Sequence, residues 1–248
     1  MLVPTILTAV LVTCVSFIGA LFFMFREKTL GMVMSLLTPF ASGLLLGSVL
    51  LQMLPRAFAI APSAVTVMSS ALAGVLVALL LSKTVWHHHH EEVCEVHTFN
   101  YINLLGEGIQ NLVAGIAIAS CFWVPAAVGF MAIGIAAALA VVAHSAVHQL
   151  GNFGFLLHGG LGKGKAMWCS LAASSTAVLG ALLTCFWLLS LGLGPYLVSF
   201  AAGWFIYVAT EDIAQRSGGT GGRKFSTAHF VLLLLGIIIV EWLSILLG

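Results

Sequence analysis

Charge is what this sequence has least of. Only 7% of its 248 residues are Asp, Glu, Lys or Arg, against roughly a quarter in an average soluble domain. A water-facing surface cannot be built from so few charges, which excludes a soluble globular fold. Nine basic and eight acidic residues leave a net charge of +1 with no basic patch, so nucleic-acid binding has no support. The cysteines are odd in number and scattered: Cys14, Cys94, Cys121, Cys169 and Cys185. They read as small hydrophobes in or near spans rather than as a disulfide framework, except Cys94, which lies among histidines. Catalytic machinery is missing as well. His144-Ser145-Ala146-Val147-His148 has the outer frame of the metalloprotease motif H-E-x-x-H, but Ser145 occupies the place of the general base. No enzyme and no prosthetic group are expected.

What is present is apolar. Hydrophobic residues make up 61% of the chain and its mean hydropathy is +1.14. The sequence divides into eight apolar runs, near 2–24, 30–54, 63–86, 99–122, 124–157, 166–193, 195–215 and 226–247. Each is long enough, at 1.5 Å per residue, to cross a hydrocarbon core about 30 Å thick. The expected fold class is all-α and integral to the membrane, with residues 1–248 as one transmembrane domain embedded in the lipid bilayer. The first run lacks a basic leader and precedes Arg26-Glu27-Lys28, which suits a retained span. With the N-terminus outside, the inner loops hold Arg26, Lys28, Lys83, Lys163, Lys165, Arg216, Arg223 and Lys224, and the outer loops hold Arg56. That asymmetry predicts both termini on the extracytosolic side.

Residues 87–98 then form a His-rich cytoplasmic loop. His87, His88, His89, His90, Cys94 and His97, with Glu91, Glu92 and Glu95 among them, supply imidazole, thiolate and carboxylate donors suited to zinc or a similar ion. A solvated polar loop fits the same composition.

Two spans carry polar groups where lipid disfavours them, by roughly 2.5–3.5 kcal/mol per charge. In the fourth, Glu107, Gln110, Asn111 and Ala114 share one helix face. In the fifth, His144 and His148 are four apart, the spacing by which one helix offers two nitrogens to one metal ion, and Ser145, Gln149 and Asn152 flank them. The seventh span ends on Glu211 and Asp212. Gln52 and Glu241 lie near the ends of the second and eighth spans. Interhelical hydrogen bonding is the plain alternative for the amides. Paired histidines with a carboxylate on another helix favour metal ligation, and His158 and His229 read as interfacial.

In order and topology these segments resemble the ZIP family of zinc and iron transporters over nearly the whole length. The fourth span, Glu107-Gly108-Ile109-Gln110-Asn111-Leu112-Val113-Ala114-Gly115, is similar to the family pattern D-G-x-H-N-F-x-D-G. The fifth, His144 through Phe153, is similar to H-E-x-P-H-E-L-G-D-F, and the seventh, Ala202 through Asp212, to A-G-x-F-L-Y-V-A-x-x-D. The second, Leu46 through Ala57, is similar to L-G-x-x-x-x-H-x-L-P-E-A. The departures share a direction. Gln110 and Ala114 replace His and Asp, Ser145 and Gln149 replace two Glu, Val147 replaces Pro, Asn152 replaces Asp, and Gln52 and Arg56 replace His and Glu.

The resemblance implies an eight-span bundle that carries Zn2+ or Fe2+ into the cytosol by alternating access, in a plasma membrane or an endomembrane, with a homodimer as the expected assembly. Asn111, His144, His148 and a seventh-span carboxylate, Glu211 in first place with Asp212 beside it, form the expected single site. Gln110, Glu107 and Ser145 are its neighbours. The lost carboxylates leave a second expectation, a ZIP-like protein that no longer transports and serves as a regulatory or structural partner.

Overall fold

A computed structural model describes residues 2–18, 27–87, 96–123, 130–218 and 226–247. It is helical throughout, with no strand among the described residues: α1 (Leu2–Val15), α2 (Glu27–Gly47), α3 (Leu54–Ile60), α4 (Ala64–His87), α5 (Val96–Trp123), α6 (Phe130–His158), α7 (Lys163–Leu183), α8 (Gly194–Gly218) and α9 (Thr227–Leu247). Seven segments are long and apolar enough to span: Gly31–Ile60, Ala64–Lys83, Tyr101–Phe122, Gly134–His158, Lys163–Leu188, Gly194–Ala214 and Thr227–Leu246. The described part of the first run, Leu2–Ile18, is an apolar helix shorter than these. Of the His-rich loop, His88, His89, His90 and Cys94 lie outside the described residues, while His87 ends α4 and His97 falls in the first turn of α5.

Local chemistry explains the interruptions. Between α2 and α3 the residues Ser48–Met53 form a π-helical stretch. Pro55 follows it, has no N–H to give to Leu51, and would crowd that carbonyl in a regular α-turn. The helix widens instead, and the Leu54 N–H reaches back to Val49 O. α6 ends in a Schellman motif: Leu161 N–H donates to Leu156 O and Gly160 N–H to Leu157 O, with Gly160 at φ 81°. The same pair of bonds recurs at Gly192 (φ 73°), where the chain turns toward α8.

Lipid gives helices no hydrophobic reason to associate, so close packing has to do it. Three helix pairs meet on reciprocal glycines. In α4 and α8, a Cβ on Gly74 would strike Phe200 O, and one on Gly203 would strike Ala71 O. In α5 and α7, Gly115 faces Ala177 O and Gly180 faces Leu112 O. In α2 and α9, Gly43 faces Leu233 O and Gly236 faces Phe40 O. Around these contacts the helices fall into two sets. α1, α5, α6 and α7 pack on one another, as do α2, α3, α4, α8 and α9, and the sets meet where α6 packs on α2 and α9 and where α5 packs on α8 and α4. The main core, with Leu45, Val49, Met53, Ile118, Phe122, Val141, Val198 and Phe205, fills the space between the sets.

One interfacial reading changes. His229 is buried: its Nδ1 accepts from Ser226 N–H at 3.1 Å, tying off the start of α9, and its Nε2 lies 3.4 Å from Ser35 Oγ on α2. His158 is exposed at the end of α6, with Nδ1 2.8 Å from Gly154 O of its own helix, and its interfacial reading stands unchanged. Among the cysteines, Cys121 is buried, Cys169 and Cys185 are half-buried, and Cys14 is exposed on α1.

Gly203→Ala should lower the thermal midpoint of the purified protein in detergent, by an overpacking cost of about 1–3 kcal/mol. Gly31→Ala, where an added Cβ meets nothing within 4 Å, should leave the midpoint unchanged.

Candidate metal centre

α6 runs through the middle of the bundle and carries His144 and His148 one turn apart, with ring centroids 5.7 Å from each other. Both lie on the wall of a cavity of about 270 Å³. α2 contributes Met34, Thr38 and Ala41 to that wall, α6 also contributes Gly151, Asn152 and Phe155, and α8 contributes Asp212.

His144 is the hub. It is 4% exposed, its Nδ1 stands 3.7 Å from Asp212 Oδ2, and its Nε2 stands 3.4 Å from Gln110 Nε2 on α5. Ser42 Oγ donates to the same Asp212 oxygen at 3.4 Å. The 3.7 Å gap is long for a hydrogen bond but close to the separation of two ligands on one ion. Donors about 2.0–2.1 Å from a tetrahedral zinc stand about 3.4 Å apart. A cation between Nδ1 and Oδ2 would therefore need only a small adjustment of either side chain.

The neighbouring carboxylate points elsewhere. Glu211 Oε1 accepts from Ser82 Oγ on α4 at 2.7 Å. Consecutive residues on a helix are about 100° apart, so one of the two acids faces α4 and the other faces α6. The structure brings His144, His148 and Asp212 to one cavity, with Gln110 against His144. It does not bring Glu211 there.

The remaining expected residues divide. Asn111 is buried and its Nδ2 donates to the Glu107 carbonyl at 3.0 Å, within α5. Ser145 is buried on α6 away from the cavity wall. Glu107 is 4% exposed, and its carboxyl faces the side-chain amides of Gln149 and Asn152 without either carboxyl oxygen closing a hydrogen bond. Gln149 instead joins α6 to α7: its Nε2 donates to Ser174 Oγ at 2.6 Å, and its Oε1 accepts from Ser170 Oγ at 2.8 Å. Among the described residues, no three His, Cys, Asp or Glu side chains converge closely enough to hold a metal ion. The donor set at the cavity is one imidazole–carboxylate pair, completed by amides and a second imidazole.

Sequence reasoning passed over Ser42, Thr38 and Met34. Their spacing of four along the second span was the available signal, since 34, 38 and 42 share a helix face.

Comparison with known proteins places the chain among transporters by overall similarity. The family described as ZIP Zinc transporter matches residues 84–244. Zinc transporter ZIP13 of Danio rerio is 30% identical over 157 residues, covering 61% of this chain and 43% of its own. Zinc transporter ZIP13 of Pongo abelii is 27% identical over 224 residues, covering 84% of this chain and 66% of its own. IAA-alanine resistance protein 1 of Arabidopsis thaliana is 28% identical over 149 residues, covering 59% of this chain and 31% of its own. The chain thus spans from about a third to two thirds of the length of these relatives.

Asp212→Asn should weaken zinc binding to the purified protein by tenfold or more, read by calorimetry with residues 87–98 removed. Glu211→Gln should change it by less than threefold. Equal losses in the two variants would reject Asp212 as the α8 ligand.

Proposed function

The chain belongs to the ZIP zinc transporter family and is a multi-pass integral membrane protein, and from this we propose that it carries a divalent transition-metal ion, zinc or iron, across the membrane toward the cytosol. The observation that carries the reading is the His144–Asp212 pair at 3.7 Å, its imidazole buried and its carboxylate partly so, on a cavity shared by α2, α6 and α8. An ionisable pair inside the bilayer is costly, and a cation that takes up both donors offsets that cost. Mixed imidazole and oxygen donors favour zinc and iron over magnesium or calcium. Gln110 and His148 are the next donors in reach, and Asn111, Ser145 and Glu107 lie behind them.

Direction rests on the distribution of basic residues. The cavity wall runs along α6 from His144 to Phe155, the end that precedes Lys163 and Lys165. With those lysines cytosolic, this is a site facing the inside. The His-rich loop at 87–98 belongs to the same side, where His87, His88, His89, His90, Cys94 and His97 would capture released metal.

The chemistry follows from the charge count. A hydrated dication gives up water on entering the bundle, and carboxylates compensate for the loss. One carboxylate at the cavity, where the family pattern has several, makes the site shallow, and a shallow site releases its ion quickly. The lack of three converging ligands among the described residues favours a second reading, a ZIP-like protein that senses or partners rather than transports.

Zinc uptake into proteoliposomes should fall at least tenfold in the His144→Ala/His148→Ala double variant. Uptake equal to wild type would remove the assigned site. No uptake by wild type, restored by Ser145→Glu, would establish the second reading.

A further inference from the structure

Asn152 stands where the family pattern has an aspartate, and its contacts give the exchange a consequence. The side chain is 5% exposed and lies between three polar groups. Its Oδ1 accepts from Asn103 Nδ2 at 3.4 Å. Its Nδ2 lies 3.3 Å from His148 Nδ1. The Glu107 carboxyl also faces this amide. An amide has one accepting end and one donating end. Asn103 takes the accepting end, which leaves the donating end for His148. The Asn103 contact therefore orients the amide with its N–H toward His148.

A neutral imidazole carries one proton. If Nδ1 accepts from Asn152, the proton sits on Nε2, and a protonated nitrogen cannot ligate a metal. An aspartate at this position could only accept. It would place the proton on Nδ1 and leave the Nε2 lone pair free, the usual arrangement of a metal-bound histidine backed by a carboxylate.

We propose that Asn152 sets the tautomer of His148, so that the ring meets the cavity as an N–H donor and becomes a metal ligand only when the Asn152 amide turns over. Asn152 is a positioning residue in this scheme, and His144 is the imidazole that first meets the ion. The last step rests on the transport reading, and the tautomer does not.

Nitrogen-15 NMR of histidine-labelled protein in bilayers without metal reads the tautomer directly, with His148 assigned by its absence in His148→Ala. Wild type should show a bare Nδ1 and a protonated Nε2. Asn152→Asp should reverse the two signals and tighten zinc binding about tenfold, within the range by which such supporting residues tune metal sites. If Asn152→Asp does not fold, Asn152→Leu removes the donor and should give a mixture of tautomers. A wild-type ring protonated on Nδ1, or a tautomer unchanged in Asn152→Asp or Asn152→Leu, would overturn the proposal while leaving transport intact. Absence of zinc uptake by wild type would overturn the transport reading and leave the tautomer assignment standing.

Discussion

A polar side chain in the hydrocarbon core has no water to turn to, so its partners must come from the chain itself. Much of the polar interior described above follows from that constraint acting on α6. His144 needs Gln110 on one side and Asp212 on the other. Gln149 needs the two serines of α7, and Asn152 needs Asn103. Three polar positions on one helix thus fix its rotation against α5, α7 and α8. A turn of α6 by one residue would leave several buried groups unsatisfied, at about 1–3 kcal/mol each.

The substitutions that separate this chain from the family pattern remove acids, and the two acids that remain stand at pattern positions. The cavity keeps one acid, Asp212, supplied by α8. A second acid, Glu107, remains buried on α5 but faces amides instead of the cavity. Between them lie His148 and Asn152, neutral groups that relay orientation but not charge. A dication at His144 would therefore be balanced chiefly by one carboxylate. This arrangement suits a site that is occupied briefly, and it makes the tautomers of two histidines as important as their positions.

The spans, the helical class and the cavity-lining histidines were legible because membrane periodicity is strong and paired histidines in lipid are rare. The choice between Glu211 and Asp212 was not. Adjacent residues on a helix differ only by rotation, and rotation is set by the glycine contact of Gly203 with α4, a long-range fact. Ser42 and Thr38 were passed over because hydroxyls are inexpensive in a span and draw no notice. The burial of His229 was equally hidden. Its position near a helix start suggested an interface, whereas its ring closes the first turn of α9 against α2.

The reciprocal glycines bear on mechanics. Where backbone rides on backbone, two helices share a long, stiff contact that side-chain rearrangement cannot loosen. α4 with α8, α5 with α7, and α2 with α9 are each joined in this way. Among the described contacts, none of this kind joins α6 to α2 or α8: Gly151 of α6 is met on the α2 side by the methyl end of Met34. The plane of least resistance to sliding therefore passes between His144 and Asp212. Displacement along that plane would separate the two donors without unpacking any glycine-joined pair, so the same geometry that assembles the site also makes it the first thing to come apart.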